Sequence, residues 1–188
     1  LLTCQAYAGD AQLRVGAFDQ EMSTVYGEKA GLPSADTNDI AVTEDGTVWA
    51  GTAKGLAYFT DGTWTPVERF SGDSVPLLAA DGQNLALVFR GELYFFAVDA
   101  PVAALPPTAS GPEDVHCLVF ANGLYVGTKD GLYVLAINRL EPVEGLNSLL
   151  TGNRAVRDFA RGPNGELAAA ADSGLFYSTG GAAWQPLF

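Results

Sequence analysis

The sequence is short of the residues that usually mark a site. Its 188 positions hold one histidine, two cysteines, one methionine and three tryptophans. A zinc centre needs three or four His, Cys or carboxylate ligands at suitable spacing. His116 and Cys117 stand together in an apolar run with no second His or Cys nearby, so no metal is expected and His116 reads as a core or strand-end residue. Cys4 and Cys117 fall in separate strand-like contexts, TCQAY and VHCLVF, and read as buried free thiols rather than a disulfide. Positive charge is scarce too: 10 Lys and Arg face 22 Asp and Glu, a formal net charge of -12 with no basic cluster. Such a chain repels a phosphate backbone, which argues against nucleic acid as a partner. No apolar run reaches the roughly 18 residues of a membrane span, and no basic segment followed by an apolar one marks a signal peptide.

What is present is glycine, 22 of them, and an apolar fraction of 48% against 17% charged, the composition of a folded globule. The glycines are ordered. Gly55 in KGLAYF, Gly91 in GELYFF, Gly131 in DGLYVL and Gly174 in SGLFYS each precede an apolar and aromatic run, at steps of 36, 40 and 43 residues. Upstream of each lies another turn and run: DGTVWAGT, DGQNLALV, NGLYVGT and NGELAAAA. Upstream again come NDIAVT, VPLLAA, VHCLVF and VRDFAR, and downstream a fourth run carries Trp64, Leu140 or Trp184. Asn-Gly and Asp-Gly tolerate the positive φ of tight hairpins, so each unit predicts a four-stranded antiparallel meander.

Because the runs are nearly continuous in apolar residues, such a sheet has two apolar faces and needs a neighbour on each. Sheets stacked around an axis meet that need, and four strands in about 40 residues is the signature of an all-β propeller. The units run over about 1–36, 37–74, 75–114, 115–154 and 155–188 of one domain. In the first, LLTCQAYAG, AQLRVGAFDQ and EMSTVYGEKAGLPS align with second, third and fourth strands, so the innermost strand is missing. Either five blades close the ring with a thin blade at the seam, or the residues belong to a longer propeller. The opening LLTC has a faint look of a lipoprotein signal end, but Thr3 fits poorly and a strand reading is preferred.

The second unit, with GLPS at 31–34, DIA at 39–41, DGTVWAGT at 45–52 and GL at 55–56, resembles a two-component-regulator propeller repeat, and GLYVGTKDGLY at 123–133 keeps its core. GLFYSTGGAAW at 174–184 is similar to a neuraminidase-type repeat whose acidic loop residue is replaced by Gly180. The resemblance implies an extracytoplasmic sensor or binding scaffold, periplasmic or extracellular. It implies no reaction, because the matching residues are structural.

Function must then come from the loops. The turn between second and third strands opens on the same face as the connections between units, and it carries different polar groups in each. Lys54, Arg90, Lys129, Asp130 and Asp172 are therefore the expected ligand- or partner-binding residues, for a protein or a small polar or carbohydrate ligand. The connections at 28–37, 99–114 and 144–154 flank that face. Trp49, Trp64 and Trp184 are expected to pack between sheets with their indole N–H on a nearby carbonyl. No catalytic residue and no cofactor is predicted, since the arginines share no repeat position and acidic pairs are too common to single out. A hydrolase or lyase sited at the channel mouth, and a purely structural blade array, are the competing readings.

Overall fold

The computed structural model describes residues 24–99, 114–137, 139–180 and 183–187. The strands proposed for the first unit lie outside these residues apart from its last stretch. There, from Thr24 to Asp36, the chain forms a single 3-10 turn, Glu28–Ala30, where a fourth strand was expected. Gly27 and Gly31 flank it, and the left-handed Gly31 (φ 99°) ends it by donating its N–H to Glu28.

Four antiparallel sheets follow. The first is β1 (Thr37–Val42), β2 (Val48–Thr52), β3 (Gly55–Thr60) and β4 (Thr63–Ser71), in sequence order. The second has β5 (Leu77–Asp81), β6 (Asn84–Phe89) and β7 (Glu92–Ala97). The third holds β8 (Val115–Phe120), β9 (Leu124–Thr128), β10 (Gly131–Ala136) and β11 (Arg139–Pro142), and the fourth β12 (Val156–Arg161), β13 (Leu167–Ala171), β14 (Gly174–Ser178) and β15 (Gln185–Pro186). At the Asp-Gly and Asn-Gly turns the glycines Gly46, Gly62, Gly82, Gly123 and Gly165 take the positive φ that the sequence predicts. At Asp61-Gly62 both residues take positive φ (51° and 80°), the mirror-image turn whose twist matches that of the strands.

The sheets meet through their first strands, β1 beside β5, β5 beside β8 and β8 beside β12. Their faces interleave in three apolar layers. Ala41, Trp49 and Leu56 of the first sheet meet Leu78, Leu85, Leu87 and Phe96 of the second. Ala86, Val88 and Leu93 meet Leu118, Leu124 and Val126, and Cys117 and Leu132 meet Phe159, Ala169 and Phe176. The second and third sheets are thus buried on both faces, which is why their strands lack strict alternation.

Two local departures are absent from the repeat. Strand β4 leaves its ladder after Pro66 and rejoins at Ser71, so four residues, Val67–Phe70, stand opposite Leu56 alone. The excursion drives Phe70 fully inside, where its ring lies 5.4 Å from Phe89, 4.9 Å from Tyr94 and 6.0 Å from Phe96. In the connection at 144–154 a one-turn helix α1 (Glu144–Asn147) delivers the buried Asn147 to β10. Its Oδ1 accepts from Leu132 N–H at 2.9 Å and its Nδ2 donates to Leu132 C=O at 2.8 Å, so a side chain completes the ladder where β11 stops short. Asn147→Ala leaves the buried Leu132 N–H unpaired, while the Leu132 carbonyl keeps its bond from Val143 N–H at 2.9 Å. The substitution is expected to cost about 2 kcal/mol, readable as a lower midpoint in chemical denaturation at unchanged slope.

The tryptophans depart from expectation in their polar contacts. Trp49 packs between the first two sheets as predicted, but its N–H points to the Thr43 hydroxyl at 3.4 Å instead of a carbonyl. Trp64 covers Ala50 and Ala57 on the opposite face of the first sheet, and its buried N–H has no partner among the described residues.

Candidate functional site

All five expected site residues lie at one end of the sheets, where the second-to-third-strand turns meet the connections leading into each first strand. Backbone bonds fasten the two together at equivalent places: Ala53 N–H donates to Asp36 C=O, Lys129 N–H to Asp114 C=O and Asp172 N–H to Ala155 C=O, at 2.9, 3.2 and 2.9 Å. Within the turns, the buried Thr52 and Thr128 donate to the carbonyls of Gly55 and Gly131 and accept from the N–H of Lys54 and Asp130.

Charge repeats the same fastening. Lys54 Nζ lies 3.4 Å from Glu28, Arg90 Nε 3.4 Å from Asp73, and Lys129 Nζ 3.8 Å from Asp114. In the fourth sheet the signs are exchanged, with Asp172 in the turn and Arg157 opposite. Exposed pairs of this kind add about 0–1 kcal/mol each. Arg90 also spreads its guanidinium 4.9 Å above the Phe89 ring. Asp130 points into solvent, with its backbone N–H on Thr128.

The structure adds residues that motif reasoning passed over. β1, β8 and β12 each contain a bulge at their second residue, and the bulged residues are Asn38, His116 and Arg157. A bulge re-aims the extra side chain and is a common device beside binding sites. Here each turns toward the neighbouring sheet or the axis. Asn38 Nδ2 donates to Ser74 Oγ at 3.0 Å and Val75 C=O at 3.2 Å, while Arg157 Nη1 lies 3.2 Å from His116 Nε2. The guanidinium can only donate, so in a bond between them the His116 Nε2 is the acceptor. The signal was present in the repeat: the runs TND, VHC and VRD all hold a polar residue at their second position.

Arg157 grips Asp172 with two bonds, Nε to Oδ1 at 2.8 Å and Nη2 to Oδ2 at 2.7 Å, and Asn153 adds a third. These bonds, Arg157 first, hold the Asp172 carboxyl below the usual carboxylate range. A depressed folded value means the contribution is whole above the unfolded value, near pH 4, and lost as pH falls through the folded one. The melting-temperature gap between wild type and Asp172→Asn is therefore expected to be constant above about pH 5 and to shrink steadily toward pH 2.

Further along the axis the first strands enclose an open hollow of about 330 Å³ lined by Ile40, Val42, Leu78, Leu118 and Phe120, with Asp81 at its edge. Among the described residues no three His, Cys, Asp or Glu side chains group as metal ligands would. Cys117 is buried beside Gly127, and burial pushes its thiol up to about 11, far from a reactive thiolate. Cys4 lies outside the described residues. No helix among them is long and apolar enough to cross a membrane.

No protein-family model matches this chain, and neither does any curated protein. Solved structures do. An extracellular domain assigned to the hybrid two-component system BT3049 of B. thetaiotaomicron superposes with a TM-score of 0.64 at 17% identity, over 87% of this chain and 26% of that one. The extracellular domain assigned to the one-component system BT4673 of the same organism gives 0.63 at 16%, over 81% and 22%. The fold is propeller-like. The GH74 enzyme of Niastella koreensis matches as well, at 0.61 and 22% identity, over 80% of this chain and 24% of that one. The chain thus spans about a quarter of the length of each of these structures, and at these identities the likeness concerns the fold alone.

Proposed function

We propose that these residues form a non-catalytic binding or sensor module, which takes a protein or a small polar ligand on the face of turns and connections. Lys54, Arg90, Lys129, Asp130 and Asp172 supply its rim, and Asn38, His116 and Arg157 its centre. The observation that carries this reading is the bulge repeated at one register in three first strands, which brings three different polar side chains to the end of the axis. Bulges are a common device beside binding sites, and these three present different polar groups at one register. The likeness to extracellular domains of bacterial regulators supports a sensing role.

The test is a binding screen of wild type and the Arg90→Ala/Asp130→Ala double variant against glycan and peptide panels. A ligand retained by the wild type and weakened roughly tenfold or more in the double variant supports the face. Equal binding by both removes it.

A further inference from the structure

A separate opening lies on the outer flank between the first two sheets, at the end opposite the turns just described. It is a cleft of about 500 Å³ beside the segment where β4 leaves its ladder. The excursion forms one wall with Val67, Glu68 and Arg69, Val98 of the second sheet closes the other side, and Trp49 and Tyr58 form the floor. Their rings lie 5.3 Å apart, and Tyr58 remains half exposed.

The polar groups around this aromatic floor have a definite sign. Asp45 is held rigidly: its Oδ1 accepts from the Thr43 hydroxyl at 2.7 Å and from Thr47 N–H at 3.1 Å, and its Oδ2 from the Thr47 hydroxyl at 3.0 Å. Those bonds keep the carboxylate ionised. Glu68, on the β4 excursion, adds a second carboxylate to the lining. The single cation lining the cleft, Arg69, already lies over two rings, 5.6 Å from Tyr94 and 5.9 Å from Phe70. An aromatic floor lined by two carboxylates suits a positively charged group with an apolar skin, because the ring faces and both acids attract cations while the floor rewards apolar contact. The excess of acidic residues over the whole chain raises the local concentration of such ligands.

We infer that the cleft walled by Val67–Arg69 is a binding site for a small organic ammonium ion, seated on Tyr58 and Trp49 beside Asp45 and Glu68. This site is independent of the face proposed above and shares no residue with it.

Choline serves as the probe, with its uncharged tert-butyl isostere as control, and the readout is the Trp49 indole N–H resonance in a two-dimensional NMR titration. Choline is expected to shift that resonance saturably in the wild type, with the isostere roughly tenfold weaker. Tyr58→Leu, and separately Glu68→Gln, are expected to weaken choline while leaving the melting temperature within a few degrees. Glu68→Gln guards the test, since this exposed side chain makes no contact on which folding depends. The inference is overturned if the isostere binds as well as choline, if neither variant weakens choline, if a neutral saccharide moves the Trp49 resonance and choline does not, or if nothing shifts it at all.

Discussion

Phe70→Ala is expected to lower stability by about 4 kcal/mol, the largest loss available from a single side chain in the described residues. The ring is fully buried, touches three other aromatic rings and comes from a segment that has left its ladder, so no neighbouring strand is positioned to close over the space. Deleting a buried phenyl costs about 3–5 kcal/mol when the surroundings cannot collapse, and edge-to-face contacts with Phe89 and Tyr94 place this site toward the upper end. Equilibrium urea unfolding measures it. Phe70→Leu, which fills most of the volume, should recover about half the loss. A cost below about 1.5 kcal/mol for the alanine variant would mean that the first and second sheets do not depend on this residue.

The second large effect is expected at Gly51. A Cβ there would stand 2.6 Å from the Val75 carbonyl oxygen and 3.0 Å from its Cγ1, and that oxygen is already fixed by the Asn38 amide. Gly127, at the same place in the third sheet, faces Val156 in the same way, with the Cys117 sulfur also in the path. The two glycines therefore set how closely one sheet approaches the next. Alanine in place of glycine within a strand ordinarily gains about 0.5–1 kcal/mol, so the sign of the change is itself the test. Gly51→Ala is expected to destabilise despite that gain, and Gly51→Val to cost about 3 kcal/mol. A stabilising alanine variant would show that the sheets are not held at this distance.

The unit length, the turns and the order of strands were legible because they rest on local chemistry. Asp61-Gly62 can be read as a tight turn from two residues, and the spacing of Gly55, Gly131 and Gly174 carries the period. The close approach at Gly51 and Gly127 was visible only as a repeated letter. The bulges at Asn38, His116 and Arg157 depend on the register between two strands, which neither strand states alone. The excursion of β4 was masked by TWTPVERF, which looks like one unbroken strand, and Asn147 reaches β10 across 15 residues of sequence. That Lys54, Arg90, Lys129, Asp130 and Asp172 share one end of the sheets was legible because their place in a fixed turn is a local signal. Their ionic partners Glu28, Asp73 and Asp114 were not, since they sit in connections of differing length.

The exchange of signs in the last fastening has a consequence for how such arrays can recombine. A crossover that gave the first connection the turn of the fourth sheet would set the Asp172 carboxylate against Glu28, acid facing acid, although both pieces would look like interchangeable copies. Each unit is in this way matched in charge to its own linker or, in the fourth, to its own first strand, and because such exposed pairs are worth only about 0–1 kcal/mol each, grafts cut between the partners should lose a little stability while still assembling.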